Sequence, residues 1–215
     1  RGGTSSSTTT GTGGRVIISS GSGSKTSSGE LVLRTEQAGT AGVTGLVIMS
    51  TGDATEGNSG GIYIGTGSSE SGRAGHVYLT GGTGDSGTGG EIVIKAGTSS
   101  NEDIGTGGRV YVSTGSGSKT SSGDLVLVTA DAGDSGVSGM VILSSGDASC
   151  GNSGGLYLGS GKSSSGRSGH VYLTVGEGNI GSGGELIIRA GTTSAKDGSG
   201  GRVMIVSGSG TSASS

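Results

Sequence analysis

A chain of 215 residues with 54 Gly, no Pro, no Trp, no Phe and 28% hydrophobic residues holds too little apolar material for an ordinary globular core of that length. Its formal charge of -3 is spread along the chain with no basic patch and no acidic tail, which excludes the electrostatic footprint of a nucleic-acid binder. The single Cys150 excludes an intrachain disulfide framework, and no apolar run is long enough to span a membrane.

In chain order, the first predicted element is the apolar triplet 16–18, followed by triplets at 31–33, 47–49, 62–64, 77–79 and 92–94. A second set stands at 110–112, 125–127, 141–143, 156–158, 171–173 and 186–188, and a thirteenth triplet at 203–205. Starts recur every 15 to 18 residues, and six units make a larger repeat, since Val16 and Val110 stand 94 residues apart. The phrase GGEIVIKAGTSSNEDIGTGGRVYV from position 89 returns at 183 as GGELIIRAGTTSAKDGSGGRVMI. A glycine stands two residues before every triplet, from Gly14, Gly29 and Gly45 through to Gly201. A second glycine column lies three residues earlier and is broken at matching places by Thr26 and Thr120. Glycine held at a fixed position means either a positive φ or an approach too close for a Cβ.

Short triplets of Val, Ile, Leu and Tyr bounded by Gly and Ser predict strands, and no segment has the helical period. A strand of about six residues and a return of about nine leave no room for a helix. The expected fold is all-β: a parallel β-solenoid (β-helix) of about 13 coils, about 15 residues each, with a six-coil super-repeat. The alternative is a two-strand coil of about 31 residues. The alternation of Val with Leu or Ile at the first triplet position favours the longer coil. The residue before each triplet favours the shorter one. That column reads Arg15, Glu30, Leu46, Gly61, His76, Glu91, then Arg109, Asp124, Met140, Gly155, His170, Glu185 and Arg202. Stacked unit on unit, its cations and anions alternate as a charge ladder, whereas the longer coil sets Glu91 on Asp124.

Alternation along a strand predicts that Val110 and Val112, Leu125 and Leu127, and their equivalents share one interior. The middle residue then points outward. That column reads Ile17, Val32, Ile48, Tyr63, Tyr78, Val93, Tyr111, Val126, Ile142, Tyr157, Tyr172, Ile187 and Met204, and it holds all five Tyr. An apolar stripe of this length is too large to leave in water. Either the Gly/Ser returns fold over it, or another chain covers it.

No motif names a reaction. His76 and His170 lack a second His or Cys ligand nearby, so the ladder role is preferred to a metal. GGTGDSGTGG at 81–90 has the Gly-Asp flavour of calcium-binding repeats but not their tandem aspartates. It also lacks the lysine of a phosphate loop. No serine sits in a nucleophile-elbow context. The chain is expected to be no enzyme and to use no cofactor or metal. Dense Ser and Thr in exposed returns offer acceptors for O-linked glycans.

Units such as SGGIYIGTG at 59–67 and GGRVYVSTG at 107–115 resemble the Gly/Ser/Thr-rich tandem repeats of secreted and surface fibre proteins of unicellular algae. The resemblance implies an extracellular or cell-surface structural role. The 15-residue period is also similar to that of some insect ice-binding solenoids, but the outward column here is Ile, Val and Tyr in place of Thr. Arg1 aligns with Lys95 and Arg189, just after a triplet, and 207–215 follows the phrase at 20–29 and stops before its glycine. The expectation is one continuous array, 1–215, without end caps: an excerpt of a longer array or a polymerising subunit. The expected function is a fibre or filament protein that assembles with identical or similar chains through the stripe. The alternative is a surface-display binding module, an adhesin or an ice-binding face.

Overall fold

The computed structural model describes residues 1–7, 9–101 and 103–210. Residues 211–215, which carry part of the expectation about the chain's end, lie outside them. The chain divides into two units, Arg1–Val110 and Tyr111–Ser215, and the division falls inside the seventh triplet.

Among the described residues there is no helix and no β-strand. The all-β solenoid expected from the triplets is therefore not formed, in either its one-strand or its two-strand version. The physical reason lies in what a strand requires. An extended segment has no hydrogen bonds of its own and becomes a strand only beside a neighbour. Here backbone hydrogen bonds instead close single return segments, joining residues three to eleven positions apart. Ordering so glycine-rich a chain costs the maximum backbone entropy, and three apolar residues in each unit give little burial to offset it.

The expected interior is corrected with the fold. No hydrophobic residue is buried among the described ones, and Val110, Val112, Leu125 and Leu127 are all more than half exposed. The accessible surface is 21893 Å². A compact protein of this mass would show about 8,800 Å², and its unfolded chain about 29,000 Å². A trace of sidedness survives. The first residue of each triplet is never more exposed than the middle one.

What the sequence does build is a row of necked returns. The glycine two residues before each triplet lies against the residue four or five places after the start of the preceding one. In six returns the neck is a backbone bond: the N–H of Gly14, Gly29, Gly90, Gly108, Gly123 and Gly201 donates to the carbonyl of Gly3, Gly21, Gly82, Gly97, Gly115 and Gly191 at 2.8–3.0 Å. In four it is a threonine: the hydroxyls of Thr35, Thr51, Thr66 and Thr129 donate to the carbonyls of Gly45, Gly60, Gly75 and Gly139 at 3.3–3.4 Å. Loops of this size with touching ends are Ω-type loops. The two explanations open for a glycine column now separate. Close approach accounts for much of the column before the triplets: a Cβ on Gly90 would lie 2.8 Å from the nitrogen of Gly82, whereas one on Gly29, Gly123, Gly154 or Gly169 would meet only ordinary contacts. The column three residues earlier includes the positive-φ positions Gly57, Gly87, Gly151 and Gly181, which are two matched pairs 94 residues apart.

The super-repeat extends to the side-chain turns. The N–H groups of Ser7, Asn101 and Ala195 donate to the hydroxyls of Ser5, Ser99 and Thr193 at 3.4, 3.3 and 3.1 Å. These are equivalent positions, and each is the start of the longest type of return. In the middle one, Asn101 Oδ1 also accepts from the N–H of Asp103 and Ile104 at 3.0 and 2.8 Å, an Asx turn.

Candidate assembly surface

The extended triplets bring residues i and i+2 to one face. Four units display this directly. The rings of His76 and Tyr78 lie 5.8 Å apart at 53°, and those of His170 and Tyr172 lie 5.6 Å apart at 52°. Where the residue before the triplet is glycine, the tyrosine ring turns back over it. A Cβ on Gly61 would sit 3.3 Å from Cε2 of Tyr63, and one on Gly155 would sit 3.1 Å from Cε2 of Tyr157. The same spacing sets Arg15 beside Ile17, Glu30 beside Val32, Glu91 beside Val93 and Asp124 beside Val126. It also sets Arg109 beside Tyr111, Glu185 beside Ile187 and Arg202 beside Met204. Within each unit the residue before the triplet and the middle residue of the triplet thus share a face.

That surface is not covered by its own chain. The stripe ranges from 65% exposure at Val32 to 97% at Tyr63, and its tyrosines are among its most exposed members. The returns close on themselves at their necks and leave the triplets bare. The ladder residues do not meet as a ladder within the chain: Arg15 forms no ion pair with Glu30, nor Glu185 with Arg202. Among the described residues Arg34 pairs with Glu36 at 3.3 Å, off both columns and exposed. Such a pair contributes little.

The four neck threonines went unrecognised in the sequence. Their signal was there to read, since each stands four residues after a triplet start, but hydroxyls in a Ser/Thr-rich chain look alike until the facing glycine is known. Cys150 is exposed and unpaired. Among the described residues no group of three or more His, Cys, Asp or Glu could hold a metal ion, and no helix is long and apolar enough to cross a membrane. Comparison with known proteins found no matching family model, no matching curated protein and no matching solved structure.

Proposed function

We propose that the chain is a structural protein of an extracellular fibre or coat, and that it assembles with identical or similar chains through the surface running from Ile17 to Met204. One observation carries the reading: thirteen apolar triplets recur in register, and none is shielded by the chain that bears it. Apolar residues left bare in such number call for a contact that takes them out of water. Tyrosine suits such a contact, with a broad ring and a hydroxyl that still needs a partner. The extracellular setting is supported by the Gly/Ser/Thr composition and by its likeness to surface fibre repeats. The exposed hydroxyls of the returns are open to O-linked glycans there.

The test is a double variant, Tyr78→Ser with Tyr172→Ser, compared with the parent by light scattering and electron microscopy. The expected result is assembly that needs about tenfold more protein, with the returns unaltered. Filaments as long and as stable as those of the parent would overturn the proposal.

A further inference from the structure

We propose that the five tyrosines are sites of oxidative cross-linking, at which a one-electron peroxidase with hydrogen peroxide joins one chain to another through dityrosine bonds. The inference rests on the reading of the bare triplets as assembly contacts and adds the chemistry that fixes a contact once it is made.

Apart from two imidazoles, every aromatic ring in the chain is a phenol: there are five Tyr, no Phe and no Trp. Burial alone does not ask for this. A phenyl ring takes a similar apolar area out of water and brings no hydroxyl that needs a partner. The phenol adds a group that can give up an electron and a proton. All five stand at the middle of a triplet, and none is sheltered, with exposure from 74% at Tyr111 to 97% at Tyr63. An oxidant in the solvent reaches each of them.

Their number and placing suit a network. A chain with one reactive group joins one other chain and stops, which is as far as Cys150 could go. A chain with three or more branches. Tyr63 and Tyr78 lie in the unit Arg1–Val110, and Tyr111, Tyr157 and Tyr172 in Tyr111–Ser215, so each unit carries at least two. Tyr63 and Tyr78 recur 94 residues on as Tyr157 and Tyr172, so the sites are part of the repeat. No buried core holds the described residues together. A covalent tie between chains holds without one.

The step balances with one peroxide for each bond. Each phenol loses one electron and its hydroxyl proton. The two phenoxyl radicals join Cε to Cε, and each of these carbons passes its hydrogen to the ring oxygen, which restores both phenols. The two electrons and two protons reduce hydrogen peroxide to two waters.

The experiment uses the full chain with Cys150→Ser, treated with a peroxidase and hydrogen peroxide and then digested after Lys and Arg. Each tyrosine falls in a peptide of its own: 35–73, 74–95, 110–119, 120–162 and 168–189. A peptide joined to a second copy of itself, lighter than the pair by two hydrogens, comes only from two chains. The expected result is such self-joined peptides, with species larger than a dimer that persist in denaturant. Because the contact holds the phenols near one another, the yield per chain should stay within about twofold over an approximately tenfold dilution that leaves the chains assembled. A variant with all five Tyr→Phe should form no covalent species. Assembled chains that give no self-joined peptide, a yield that falls in step with dilution, or cross-linking that survives in the Phe variant would overturn the inference and leave the assembly contacts in place. A parent that stays monomeric in light scattering at every concentration before oxidation would overturn both.

Discussion

The six returns that follow Arg1 and the returns at 145–154, 160–169 and 175–184 are built on the same plan and close differently. In the first group every neck carries a hydrogen bond, three from a glycine N–H and three from a threonine hydroxyl. In the second group the positions of Thr51, Thr66 and Gly81 are taken by Ser145, Ser160 and Val175, and the necks touch without a bond. The difference teaches what a neck needs. Threonine's methyl packs on the facing glycine and its branched Cβ restricts χ1, so the hydroxyl stays aimed at the carbonyl. Serine has neither constraint, and the hydroxyl of Ser144, beside the Ser145 neck, bonds locally to the Ser145 carbonyl at 2.9 Å. At 175 the donor and acceptor of the Gly90 neck survive as Gly184 and Gly176, but the valine side chain lies against Gly184 where the first group has the bare Gly81.

The largest expected effect breaks the comparison at its best-bonded neck. Gly90→Val places a side chain where a Cβ already lies 2.8 Å from the Gly82 nitrogen, in rigid backbone. The bond between the Gly90 N–H and the Gly82 carbonyl should be lost, and the amide of residue 90 should exchange with solvent at least about tenfold faster. Gly184→Val, at the equivalent neck, should change little. Its Cβ meets only Cγ1 of Val175, 2.6 Å away at the end of a side chain, and no bond is there to break. Equal effects at the two sites, measured by amide exchange in NMR, would show that the necks are equivalent after all.

A smaller contrast lies at the turns. Gly87 and Gly181 are equivalent, with φ of 134° and 81°. The first value is open to glycine alone, whereas the second lies near the left-handed helical region that asparagine also visits. Gly87→Asn should therefore shift amide resonances throughout the return 82–90, at a cost of about 1–3 kcal/mol. Gly181→Asn should perturb only its neighbours. Matching shift patterns in the two variants would remove the distinction.

These positions also mark how far the sequence could be read. The period, the 94-residue super-repeat and the glycine columns were legible, because a requirement for glycine leaves a trace in every unit. The stripe and the charge column were legible as columns for the same reason. The arrangement of one unit on the next was not. Alternating Val16-Ile17-Ile18 satisfies a strand's pattern whether or not a partner strand is present, and pairing is a property of two segments, which no single triplet encodes. The common face of His76 and Tyr78 follows from their spacing of two, a relation inside one unit, whereas a ladder is a relation between units. The interior assigned to Leu125 and Leu127 failed with the stacking that it presupposed.

The finest contrast is the exchange of one methyl group between the returns 66–75 and 160–169. Each contains an arginine, Arg73 in the first and Arg167 in the second, so an arginine-specific protease, which passes over Lys162, reports on both in one native chain. Thr66 holds the Gly75 carbonyl at 3.3 Å, and Ser160 makes no such bond to Gly169. A protease must straighten the return to cut it, so cleavage follows how often the neck opens. The hydroxyl bond is long for its type, which puts its worth near the lower end, about 0.5 kcal/mol, or roughly a twofold change in opening. Cleavage after Arg167 should outpace cleavage after Arg73 in the parent by about that factor. Thr66→Ser should speed the Arg73 cut, and Ser160→Thr should slow the Arg167 cut, each by about twofold and each without altering the other site. The double exchange should reverse the order of the two cuts. If the order instead stays with the position, the neighbouring residues Ala74 and Ser168 govern the rate, and the threonine neck holds nothing closed.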